Sequence, residues 1–219
     1  MAAVALGRNF VFKAGPPEVC PTGVAEVDAL AGGLPKGCLT EISGPASSGR
    51  TSLMLAAMAQ ASSRGNVCAL VDASDAFDPA SAAAAGVHLE QLLWVRCGGR
   101  AEHALKATDL LVAGGGFGMV VMDLADTPAS TARRISLTSW FRLRRAVEHT
   151  PTVLLVVDEQ PLAKTCASLL LEMRREKAIW SGTPGCSRLL RGIRVRTERR
   201  KPVPAKAGSY VCGDPFDGR

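Results

Sequence analysis

Short apolar runs recur along the chain, each followed by a stretch whose apolar positions fall at helical spacing. Cys38–Ser43, Val67–Asp72, Leu92–Arg96, Met119–Asp123 and Thr152–Asp158 are the apolar runs, and each reads as a buried strand. Between them, Thr51–Ser63, Pro79–Ala85, Ala101–Val112 and Thr131–Glu148 read as helices, with Gly86 stopping the second as a C-cap. Strand–helix alternation of this kind builds a mostly parallel sheet covered on both faces, with ligands at the carboxyl ends of the strands.

The last third changes rhythm. Ser168–Arg175 and Leu189–Arg196 read as two strands around the turn-rich Ser181–Gly185, and in the second Ile193 and Val195 alternate with Arg194 and Arg196. This predicts an antiparallel hairpin added at one sheet edge. The division expected is an N-terminal segment 1–20, a core 21–200 and a loosely held basic tail 201–219, rich in Pro, Gly and Lys. Asn9–Lys13 is a candidate strand for pairing with a neighbouring subunit or for packing on its own domain.

Composition narrows the class. Of 219 residues, 47% are hydrophobic and 21% charged, which suits a globular domain. The uncharged stretch Leu110–Met122 is too short for a membrane span and carries three consecutive glycines. No secretory leader is expected, and the chain is expected in the cytoplasm. Seven scattered cysteines without a C-x-x-C suit a reducing compartment, and His88, His103 and His149 show no metal-ligand spacing. Charge is lopsided: residues 1–129 carry a net −4 and residues 130–219 a net +10. A basic end of this kind meets polyanions or is a solvated face.

One motif carries chemistry. Gly44-Pro-Ala-Ser47-Ser48-Gly49-Arg50-Thr51-Ser52 sits between a strand and a helix and follows the phosphate-loop frame G-x-x-x-x-G-K-[ST], except that Arg50 stands where lysine belongs. In that frame backbone N–H groups close around phosphates, the cation reaches the β/γ oxygens and the hydroxyl holds magnesium. Asp123, ending a buried strand downstream, is placed to help position that metal, as Thr51 is; its alternative is a cap for the next helix.

These runs, with Thr22-Gly23, Asp28–Gly37, Glu41–Thr51, Val71–Pro79 and Gly86-Val87, resemble the RecA recombinase family over residues 20 to 200, in family order. Within that superfamily the short length and arginine-rich end look most like ImuA-type proteins. The resemblance implies a RecA-like P-loop core with ATP and magnesium as ligands, held weakly or lost. Implied partners are DNA, the RecA recombinase, a Y-family polymerase-like protein, an error-prone replicative polymerase and a second copy of the chain.

The departures are concentrated at the chemistry. Arginine is a larger, planar cation than lysine and does not substitute conservatively in a tight cage. Ser74 falls where the family carries its catalytic glutamate, and Ser81 where it carries a base-stacking tyrosine. Gln160 matches the nucleotide-sensing glutamine, but Pro161 and Leu162 follow at once, and both DNA-binding loops look trimmed. Hence no catalytic residue is assigned. DNA or partner contact is expected instead from Arg188, Arg191, Arg194, Arg196, Arg199, Arg200 and Lys201, a band interrupted by one acid, Glu198. The reading is a non-catalytic accessory factor in SOS mutagenesis and translesion synthesis. An active repair or recombination ATPase, and a damage-response inhibitor acting by protein contact alone, stand beside it.

Overall fold

A computed structural model describes residues 18–182 and 188–213; the expected strand at Asn9–Lys13 lies outside them. Two short strands, β1 (Val19–Cys20) and β2 (Leu34–Pro35), pair antiparallel on either side of α1 (Ala25–Ala31). Then follow β3 (Cys38–Ser43), α2 (Arg50–Ser62), β4 (Cys68–Asp72), α3 (Pro79–Ala84), β5 (Leu92–Arg96) and α4 (Ala101–Gly114). The chain continues through β6 (Met119–Asp123), α5 (Ala129–Ala132), α6 (Leu137–Val147), β7 (Val153–Asp158), β8 (Leu169–Ser181), β9 (Leu189–Lys201) and β10 (Lys206–Gly213). The main sheet runs β10-β9-β8-β3-β7-β6-β4-β5, parallel from β8 to β5 and antiparallel from β8 to β10. The α/β class, the parallel sheet and the antiparallel edge are as the sequence pattern implies.

The central strands are apolar throughout because both of their faces are covered. On β7, Val153, Leu155 and Val157 join the core shared with α2, while Leu154 and Val156 join the core under α4 and α6. Register then fixes the chemistry. Ser43 stands beside Asp158, and Asp72 beside Asp123, which neighbours Val157. Three strand-end acids thus share the rim at the carboxyl ends.

Two expectations are corrected. The single helix over 131–148 is two: α5 ends at Ala132, and Ser136 caps α6 by accepting from the Ser139 N–H at 3.2 Å. The loose tail from Lys201 is, as far as Gly213, a turn and an edge strand. Pro202 and Pro204 lie in the turn, and β10 pairs with β9 from Lys206 to Gly213. Alternation decides it: Tyr210 is 6% exposed in the core shared with α2, with Cys212 packed against it, while Ala207, Ser209 and Val211 face out. The lysine and glycines that read as a tail suit a strand at a sheet edge. Tyr210→Ala therefore costs about 3 kcal/mol of stability, read by urea denaturation, whereas a solvated tail residue would cost nothing measurable.

Candidate functional site

The loop between β3 and α2 is shaped by its glycines and by what packs on it. Gly49 (φ 90°) and Ser47 (φ 60°) take left-handed backbone, which turns the chain into α2. A Cβ on Gly44 would lie 2.4 Å from the Met173 carbonyl oxygen, and one on Gly49 would lie 2.8 Å from Val195 Cγ2. So β8 and β9 rest directly on the loop. The Ser48 N–H donates to the Pro45 carbonyl at 3.1 Å, but those of Ala46, Ser47, Gly49, Arg50, Thr51 and Ser52 have no acceptor among the described residues. They open at the N-terminal end of α2 onto a cavity of about 540 Å³, walled opposite by Leu190, Ile193 and Cys212. This is an amide cradle for an anion at a helix N-terminus, and Thr51 and Ser52 are exposed on it.

Arg50 does not reach into that space as a free cation. Its guanidinium, 6% exposed, donates from Nη1 to the Gly44 carbonyl and from Nη2 to the Ala125 carbonyl at 2.9 Å. Nη2 also lies 3.5 Å from Asp126 Oδ1. One side chain therefore ties the start of the loop to the turn after β6. The remaining expected residues are dispersed. Asp123 Oδ1 accepts from the Ala125 N–H at 2.9 Å, and burial pushes its carboxyl up to about 6, with Asp72 and Asp126 adding and Arg50 opposing. Gln160 Oε1 accepts from Arg133 at 2.5 Å, and Gln160 lines a different cavity from Thr51, one of about 630 Å³ on the β8 side of the loop. Ser81 helps cap α3, donating to Asp78 at 2.5 Å. Ser74 lies just past the end of β4. No cluster of three His, Cys, Asp or Glu side chains is arranged for a metal among the described residues. A magnesium ion held by Thr51 and Asp123 would take its other ligands from phosphate and water.

The family profile of the RecA N-terminal domain matches residues 5–133, which spans the loop, β4 and β6. The chain belongs to the RecA family. Protein RecA of Symbiobacterium thermophilum is 32% identical over 216 residues, covering 90% of this chain and 58% of that protein. Protein RecA of Brucella anthropi is 45% identical over 108 residues, 48% of this chain and 30% of that one. The chain thus spans well under two thirds of these RecA proteins' length. Among its described residues, no helix is long and apolar enough to cross a membrane.

This RecA-family core also holds a residue that the sequence reading passed over. Asp158 is 3% exposed; Oδ1 accepts from the Glu159 N–H at 2.5 Å, and Oδ2 has no partner. Two residues before Ser43, on the same sheet face, Glu41 accepts from the Leu162 and Ala163 N–H groups at 2.5 and 2.9 Å, its other oxygen buried and unpartnered. Burial pushes Asp158 up to about 7 against its N–H donors, and the neighbouring Glu41 raises it further. The signal was present: TVLLVVD ends on an acid as MVVMD does.

The basic band divides by environment. Arg200 bridges Glu172 at 3.0 Å and Glu198 at 3.2 Å, two acids that face each other across β8 and β9. Arg199 donates to the Pro204 carbonyl at 3.1 Å and Lys201 to the Lys164 carbonyl at 2.5 Å. Arg188, Arg191 and Arg194 are exposed without an acidic partner among the described residues, and Arg196 pairs with Glu198 at 3.0 Å. Register adds two cations from β8: Arg174 stands opposite Arg196, and Lys177 opposite Arg194. Both pairs lie on the face turned away from Val195.

Asp158 sets a pH dependence. An unfolded aspartate titrates near 4, whereas Asp158 holds its proton to about pH 7. Between those values the folded state binds more protons than the unfolded one, so its contribution to stability falls as pH rises. Because pH 5 already lies inside that window, the stability gained by Asp158→Asn should be larger at pH 8 than at pH 5 by on the order of 2–3 kcal/mol, checked by thermal melts at both pH values.

Proposed function

We propose that this chain is a non-catalytic RecA-fold accessory protein, of the ImuA type, in damage-induced mutagenesis. It contacts DNA phosphates and protein partners rather than driving ATP-dependent strand exchange. The observation that carries the reading is Arg50: the cation that should meet a phosphate is bonded to Gly44, Ala125 and Asp126. The amides and Thr51 remain fitted to a phosphate and its magnesium, so Mg-ATP is a weak ligand of this cradle. A nucleotide bound there supplies the phosphate charge that the amides meet; Ser74 offers no carboxylate to activate water for its hydrolysis. Turnover is expected to be undetectable or very slow. A repair ATPase, the second reading, is supported by the intact amides, and turnover at recombinase rates that Asp123→Ala abolishes would establish it instead.

For DNA the support is electrostatic. Like charges directly opposite on neighbouring strands destabilise a sheet. The acidic pair Glu172/Glu198 is neutralised within the protein by Arg200, but the Arg174/Arg196 and Lys177/Arg194 pairs are not neutralised to the same extent. A polyanion relieves them, through phosphate contacts indifferent to sequence. The RecA recombinase and the two polymerase-like proteins are the proposed protein partners, in a nucleoid-associated cytoplasmic setting. Lys177→Glu sets an acid opposite Arg194. It should raise Tm slightly while weakening single-stranded DNA binding about tenfold at low salt and flattening the salt dependence by about one unit of slope. Unchanged affinity in fluorescence anisotropy would remove β8 from the DNA surface, and salt-independent binding would overturn the phosphate reading.

A further inference from the structure

A second groove lies away from the amide cradle, between the first turn of α6 and the segment after β7. Its volume is about 270 Å³; Ile135, Leu137, Trp140 and Leu162 form an apolar floor, and Arg133 and Lys164 stand on its rim. One wall is fixed from beneath, where Glu41 accepts from the Leu162 and Ala163 N–H groups. At the surface Arg133 Nη2 donates to Gln160 Oε1 at 2.5 Å, which links the two sides of the groove before anything enters it.

Its surroundings specify an occupant. Leu137 (46% exposed) and Phe141 (43% exposed) sit one helical turn apart on α6 and extend the apolar floor onto the surface. On the same helix Arg142 and Arg144 are paired with Asp109 and Glu148. Arg134, Arg145 and Lys164 have no carboxylate partner among the described residues, and Arg133 meets only the neutral Gln160. At about 270 Å³ the groove sits at the small end of ligand sites and has room for one large side chain. A single-stranded nucleic acid would need an accessible aromatic face beside the charge, whereas the aromatic lining this groove, Trp140, is 1% exposed and the reachable floor is aliphatic.

We propose that this groove docks a short acidic segment of a partner protein, one bulky apolar residue filling the floor and flanking carboxylates meeting the cationic rim. The proposal rests on the accessory reading only in making protein contact part of the chain's work; it does not depend on DNA binding at the hairpin. The test uses the full chain and a fluorescein-labelled twelve-residue peptide with a Leu-Phe centre flanked by Asp and Glu, followed by anisotropy. One control peptide replaces the acids with Lys, another replaces Leu-Phe with Gly-Gly, and oligo(dT) serves as the nucleic-acid arm.

The acidic apolar peptide should bind at least tenfold more tightly than either control. Leu137→Ser should weaken it about fivefold with Tm and hairpin DNA affinity unchanged, and Lys164→Glu, also at an exposed position, about fivefold with Tm unchanged. Equal binding of the Gly-Gly control would reduce the groove to a charge patch and overturn the proposal. Oligo(dT) binding that is lost on Leu137→Ser would make it a nucleic-acid site and overturn it equally. Peptide binding without any DNA affinity at the hairpin would uphold this proposal while removing the DNA half of the accessory reading.

Discussion

A buried guanidinium between two backbone carbonyls organises this end of the molecule. Arg50 needs acceptors for its N–H groups once it is 6% exposed, and Gly44 and Ala125 supply them from opposite sides of the site. The loop and the turn after β6 are thereby held at one separation by a covalent part of the chain. In a phosphate loop with lysine, a compact ammonium serves a ligand; here a planar fork serves the protein. Much of what is unusual nearby follows from having a fixed positive charge at the rim. Three acids, Asp123, Asp126 and Asp158, sit within its field, and it opposes the rise that burial imposes on Asp123 and Asp158.

Much of the fold was legible because its strands are buried on both faces, so that apolar runs such as VCALVD and TVLLVVD admit little else. The cradle was legible too, since glycine spacing between a strand and a helix leaves a local trace. What escaped was non-local. The split between α5 and α6 turns on Ser136 as a cap inside a stretch that is periodic on both sides. The strand β10 is weakly apolar and belongs to the sheet only through β9, and Tyr210 is buried only because α1 and α2 lie beneath it. The double use of Arg50 depended on where Ala125 would lie, 75 residues away along the chain.

The two positive surfaces differ in kind. On β8 and β9 the cations are set opposite one another by register, with nothing apolar needed between them. At the groove beside α6 the cations rim an apolar floor, one wall of which Glu41 anchors through the Leu162 and Ala163 N–H groups. A contiguous stretch of arginines in the sequence reveals neither arrangement, because alternation along a strand sends neighbours to opposite faces and pairs each with a residue from another strand. This is why Arg200, in the densest part of the band, is spent on Glu172 and Glu198, while Arg174, outside it, belongs to the exposed surface.

Strand β9 joins the two faces. Val195 presses on Gly49 from one side, while its neighbours Arg194 and Arg196 project from the other. If an anion in the cradle altered the affinity of the outer face for a polyanion by some factor, a polyanion would alter the affinity of the cradle for the anion by the same factor. Such coupling would need occupancy alone and no hydrolysis, in the manner of a receptor rather than an engine.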